Sequence, residues 1–116
     1  MRLVLPCVLL LVAGCAGDPN DRPATWAYIH AAIIAPNCAT SSCHSKLADT
    51  AGVELDDRDI AYGVLTSRSY VVPGDPGCTL MALLDGDERQ RMPPDAPLPA
   101  DDIELIRTWI LAGAQR

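Results

Sequence analysis

Phenylalanine is absent from this chain, and histidine occurs only twice, as His30 and His44. The other aromatics are Trp26, Tyr28, Tyr62, Tyr70 and Trp109, so the interior must be built mainly from Ile, Leu, Val and Ala. Basic residues are scarce as well, 9 against 15 acidic ones for a net charge of −6. A surface of that sign repels phosphate backbones and anionic headgroups, which argues against nucleic acid as a partner and against a polybasic membrane patch. It tolerates a basic protein partner. Nowhere is there the run of about 20 apolar residues that a membrane-spanning helix needs. No Ser-His-Asp signature or phosphate loop supports hydrolase or kinase chemistry. Alternating strand patterns and internal repeats are missing too.

What is present begins at the N-terminus. Arg2 precedes the apolar run Leu3 to Ala13, which has the length and flanks of a signal-peptide core. Leu11-Val12-Ala13-Gly14-Cys15 follows and resembles the lipobox of bacterial lipoproteins. That resemblance implies a signal peptide over 1–14, lipid on Cys15, and a mature protein tethered to a membrane of the cell envelope, outside the cytoplasm. Residues 15–23 are rich in Asp, Asn and Pro and read as a flexible tether. One domain is expected over 24–116.

The elements of that domain read as helices. Pro23 opens the first, which carries Trp26, Ile29, Ile33 and Ile34 on one side and is expected to stop at Pro36. Asn37 to Lys46 forms a loop of small polar residues, and Leu47 to Asp57 is irregular. The acidic pair Asp56-Asp57 caps a helix from Arg58 to about Thr66. A turn-rich stretch, Val71 to Gly77, leads to a short helix over Thr79 to Leu84 and a charged loop over Asp85 to Arg91. Met92-Pro93-Pro94 reads as extended. The last helix, Asp101 to about Ala112, has acids in its first turn, Ile103, Ile106, Trp109 and Ile110 as its apolar face, and Gly113 at its end. The class is all-α: about four short helices joined by long loops.

A domain this small is marginal on apolar burial alone, so a covalent or cofactor staple is expected. Cys7 leaves with the signal and Cys15 takes lipid, which leaves Cys38, Cys43 and Cys78. An odd number in an oxidising compartment calls for something beyond a single disulfide. The chemistry concentrates in Cys38-Ala39-Thr40-Ser41-Ser42-Cys43-His44. Covalent haem attachment needs two thiols that reach the two vinyl groups and a histidine directly after the second to ligate iron; the usual spacing has two residues between the cysteines, and here there are four. The competing reading is a disulfide beside a histidine. A haem held this way commonly takes a thioether as its sixth ligand. Met92, set between Arg91 and two prolines, has little packing reason to exist, whereas Met81 in Leu80-Met81-Ala82-Leu83-Leu84 reads as core.

On these marks the chain resembles the short class I cytochrome c domains of bacterial envelope proteins, near the planctomycete-type cytochrome c group. The resemblance runs from Trp26 to Ala114. It includes the helix entering the Cys…Cys-His motif, the Val72-Pro73-Gly74-Asp75-Pro76 turn, Met92-Pro93-Pro94, and the closing Trp109-Ile110-Leu111-Ala112-Gly113-Ala114. It implies haem c bound through Cys38 and Cys43, with His44 and Met92 as axial ligands and the first and last helices crossing at the haem edge. The four-residue gap and Cys78 depart from the family pattern. Cys78 is either a free buried thiol or a partner of Cys38.

Other residues carry less. His30 shares a face with Ile33 and Ile34 and reads as packed. A zinc site from Cys38, Cys43, His44 and His30 has suitable ligand types, but adjacent Cys43 and His44 would strain a tetrahedron. Asp56, Asp57 and Asp59 lack the glycine and bidentate glutamate of a calcium loop. Arg89 and Arg91 read first as solvated, second as partners of haem propionates. The function expected is one-electron transfer to a redox partner in the envelope, with no substrate turnover by the domain itself. The alternatives are a haem-free, disulfide-stapled lipoprotein with a binding or structural role, and a haem peroxidase, which the Met92 loop argues against.

Overall fold

A computed structural model describes residues 20–116; the signal segment, Cys15 and the tether up to residue 19 lie outside the described residues. The first element is one continuous helical rod in three parts. α1 (Trp26–Ile29) starts at Thr25, whose hydroxyl accepts from the Tyr28 amide. A π-helical segment (His30–Ile34) follows, then α2 (Ala35–Cys38), with right-handed helical backbone angles at both joins.

Pro36 therefore does not stop the helix. An α-helical proline clashes with the carbonyl four residues back and leaves it without a donor. The wider π-turn just before Pro36 relieves that clash, and the Asn37 side-chain amide donates to the Ile33 carbonyl at 2.8 Å. The rod thereby reaches Cys38 instead of ending two residues short. The π segment also resets its phase. In a plain α-helix residues seven apart share a face, and each further residue turns by roughly 100°. One residue inserted in a π-turn brings residues eight apart onto one face, and His30 and Cys38 are eight apart.

Beyond the motif loop and a single 3₁₀ turn at Thr50–Gly52, α3 (Arg58–Ser67) begins at Asp57, whose carboxylate accepts from the Asp59 and Ile60 amides, both at 2.9 Å. Asp56 does a different job. Its carboxylate takes the Lys46 amide at 2.9 Å, which holds it below the usual carboxylate range, and so pins the loop after the motif. α4 (Thr79–Leu84) starts at Cys78, and α5 (Ala100–Leu111) ends where Gly113, at φ 104°, turns the chain back. There the Ala114 amide donates to the Trp109 carbonyl at 2.9 Å. The described residues contain no strand, and the domain is all-α with long loops.

The core joins the rod to α5. Trp26, Ile29, Ile33 and Ile34 pack with Leu105, Ile106, Trp109 and Ile110, and Met81 and Leu84 of α4 close one side. The Trp26 and Trp109 rings stack at 5.2 Å between centroids, and Tyr62 meets both edge-on. Each polar handle is satisfied: Trp26 Nε1–H donates to Arg58 O at 3.0 Å, Trp109 Nε1–H to Gln115 O at 2.8 Å, and the Tyr62 hydroxyl to Ala114 O at 3.0 Å. The turn before α4 is tied to the same core by the Gly74 amide, which donates to Ile110 O at 2.8 Å. Gly74 has φ 80°, so glycine is required in that tight turn.

Candidate functional site

Cys38 is the last residue of the rod, half-buried against the core. The chain then turns on itself: the Cys43 amide donates to Thr40 O and the His44 amide to Cys38 O, both at 3.0 Å. The second of these bonds closes the base of the Cys38–His44 loop, so the two additional residues of the spacing are taken up in a turn at its tip. Cys38 and Cys43 remain on one cavity. The Cys38 thiol is pushed up to about 11, first by burial and then by the neighbouring Cys43 sulfur. The Ser42 hydroxyl lies 3.7 Å from the Cys43 sulfur.

His44 is held from its far side. Its Nδ1 lies 3.1 Å from the Val53 carbonyl. A carbonyl only accepts, so Nδ1 carries the proton and Nε2 keeps its lone pair. The Leu55 amide donates to the His44 carbonyl at 2.7 Å, which fixes the backbone as well. Neither Val53 nor Leu55 stands out in the sequence. The signal available was their apolar character within an otherwise polar, irregular loop.

Met92 reaches the same cavities from the loop after α4. Its amide donates to Leu83 O at 3.0 Å, hooking the loop onto α4. The segment is not extended as expected: a cis peptide joins Met92 to Pro93, and the chain bends through residues 92–96. The proline rings exclude helix there but do not enforce a straight chain. Met92 is 38% exposed, whereas Met81 is 1% exposed and belongs to the core.

These side chains meet at two cavities that share Cys38, His44 and Met92 in their walls. The outer one, about 250 Å³, is completed by Asn37, Ser42, Cys43, Thr50, Pro93 and Pro94. The inner one, about 150 Å³, is lined by Ala51, Val53, Leu55, Leu65, Tyr70, Leu80, Leu83 and Leu84. Two thiols, one imidazole with a free lone pair and one thioether thus face an apolar lining. That donor set is the one a c-type haem takes, and the residues present fit the group.

The remaining candidates fall away from this site. Cys38, Cys43 and Cys78 are all free, and Cys78, 4% exposed at the start of α4, lines neither cavity. His30 is packed, 7% exposed, with Nε2 2.9 Å from Leu55 O. No group of three or more His, Cys, Asp or Glu among the described residues is arranged to hold a metal ion, so the zinc arrangement does not form. Arg89 and Arg91 line neither cavity; Arg91 Nε is buried without a hydrogen-bond partner.

The small all-α domain thus brings two thiols, a histidine and a methionine to the wall of one cavity. The model of the planctomycete cytochrome C family matches residues 41–96, which supports a planctomycete-type cytochrome c domain. The matched stretch includes Cys43, His44 and Met92 but starts after Cys38. No curated protein and no solved structure matches the chain.

Proposed function

We propose that the domain holds one haem c and carries electrons in the cell envelope, tethered to a membrane through lipid on Cys15. The observation that carries this reading is the fixed tautomer of His44. The Val53 carbonyl accepts the Nδ1–H hydrogen bond and leaves Nε2 free to ligate iron, in a cavity whose wall also holds two thiols and Met92. In this reading Cys38 and Cys43 would hold the haem through thioether bonds, and His44 and Met92 would ligate its iron. When bound, the haem supplies a one-electron iron couple, and a thioether ligand raises its potential. The protein's part is to hold the ligands, keep water from the inner cavity, and supply the apolar lining that tunes the couple. The lipid anchor is supported by the lipobox-like Leu11 to Cys15, and a basic redox partner by the net charge of −6.

The disulfide-stapled alternative draws no support from the three free thiols. The deciding experiment is expression with cytochrome c maturation machinery, followed by intact mass and an absorption spectrum. One covalent haem per chain is expected, with loss of the low-spin spectrum in His44→Ala. A correctly exported protein with only apoprotein mass would overturn the reading.

A further inference from the structure

The buried imidazole of His30 has no part in the site as described so far, yet its hydrogen bond leads there. His30 Nε2 lies 2.9 Å from the Leu55 carbonyl, so Nε2 carries the proton and donates. The same Leu55 donates its amide to the His44 carbonyl at 2.7 Å, and Val53, two residues earlier, accepts from His44 Nδ1 at 3.1 Å. The strand of chain from Val53 to Leu55 is therefore held between the two histidines of the sequence. Its Val53 carbonyl orients the His44 ring, and its Leu55 carbonyl is fastened to the rod by His30.

We infer that His30 is a positioning residue for His44, acting through Val53–Leu55; this rests on the reading of His44 as the iron ligand. Three observations support it. An imidazole 7% exposed inside an apolar core is costly to bury, and a leucine there would pack as well unless the hydrogen bond matters. His30 opens the π-helical segment, the irregularity that also brings Cys38 to the same face of the rod, and π-turns recur at functional positions. The Trp26 ring, 5.5 Å away, braces the imidazole, so its bond to Leu55 is held by packing rather than by chance rotamer choice. Outer-shell groups of this kind fix the ring orientation and raise the basicity of the ligand nitrogen.

The test compares His30→Leu, which keeps the volume apolar, His30→Gln, whose amide can still donate, and Met81→Leu, a core change away from Leu55. Histidine-labelled protein is examined by NMR for exchange of the His44 Nδ1 proton, in the apoprotein and, where haem is attached, in its diamagnetic ferrous state. Exchange should accelerate about tenfold or more in His30→Leu, recover in His30→Gln, and stay at the wild-type rate in Met81→Leu. In haem-loaded protein the midpoint potential should shift upward in His30→Leu, because a less basic imidazole stabilises the ferric state less, and return in His30→Gln. Unchanged exchange in His30→Leu, or equal acceleration in Met81→Leu, would overturn the inference and leave His30 a packing residue. The exchange measurement reads the same whether or not haem is present, so failure of the haem reading is told apart from failure of this one.

Discussion

The two ends of the rod from Trp26 to Cys38 are buried by different means. At the Trp26 end, ring lies on ring: Trp26 against Trp109, Tyr62 against both, each indole or phenol bonded to a backbone carbonyl. At the Cys38 end, buried and half-buried side chains surround two cavities, whose walls include a thiol pair and an imidazole with no protein partner at Nε2. One end spends its aromatic residues on closing the fold, which explains how a chain without phenylalanine holds together. The other end keeps donors instead of filling the space. In a domain of this size the two requirements compete, and they are met by separating them along one helix.

That division can be broken or sharpened by measurement. The largest effect belongs to Trp109→Ala, which removes the stacked partner of Trp26 and the bond to Gln115. A loss of about 3–5 kcal/mol is expected from chemical denaturation. If it leaves a folded protein, the site should bind or react as before; a change confined to the site would show that the ends are not independent. Next is the Cys38 thiol of the apoprotein. Its folded value of about 11 stands above the ordinary 9.0, so its thiolate is scarcer than that of an exposed cysteine. Alkylation at pH 8 should be about a hundredfold slower at Cys38 than at an unperturbed thiol. The linkage has a definite sign: the fold retains this proton longer than the unfolded chain, so the contribution is present below pH 9 and is lost as pH rises through the folded value. Mass spectrometry of the labelled apoprotein checks the rate; equal labelling with an exposed thiol would mean that Cys38 is not buried at this end. The smallest is Asp57→Ala. Asp57 caps α3 on the seam between the ends, and about 1 kcal/mol should be lost in a thermal melt. Both ends should feel it alike.

Much of the fold was legible because helix signals here are local. Asp57, Thr79 to Leu84, and the acids and Gly113 around α5 announce their elements through capping and periodicity. Cys38, Cys43, His44 and Met92 stand out in the sequence by type and order, and the fold brings all four to the wall of one cavity. Pro36 misled because its effect depends on the turn before it. A proline stops an α-helix, but a π-turn makes room for it, and nothing in Ile33-Ile34-Ala35 spells a π-turn. Val53 and Leu55 were invisible as partners because they act through backbone groups, and a carbonyl or amide carries no letter in the sequence. Asp56 and Asp57 look alike as neighbours, yet only tertiary contact decides that one caps a helix and the other pins Lys46.

The hook between Met92 and α4 has a consequence in time rather than in space. From Gly86 to Leu98 the loop is fastened by few backbone bonds: those of Gln90 and Arg91 to Asp87 O within it, and that of Met92 to Leu83 O outside it. Meanwhile Leu98, 6% exposed, is buried, as are Met81, Leu84, Leu105 and Ile106 of the helices on either side. Opening this loop breaks little and exposes little core, so it costs far less than unfolding the domain. The methionine side of the site is therefore expected to open more readily than the histidine side, which is bonded through Val53 and Leu55, and hydrogen exchange at the Met92 and Leu55 amides reads the difference. An incoming small ligand would meet the site from the Met92 side, at a rate set by that local opening and not by the stability of the protein.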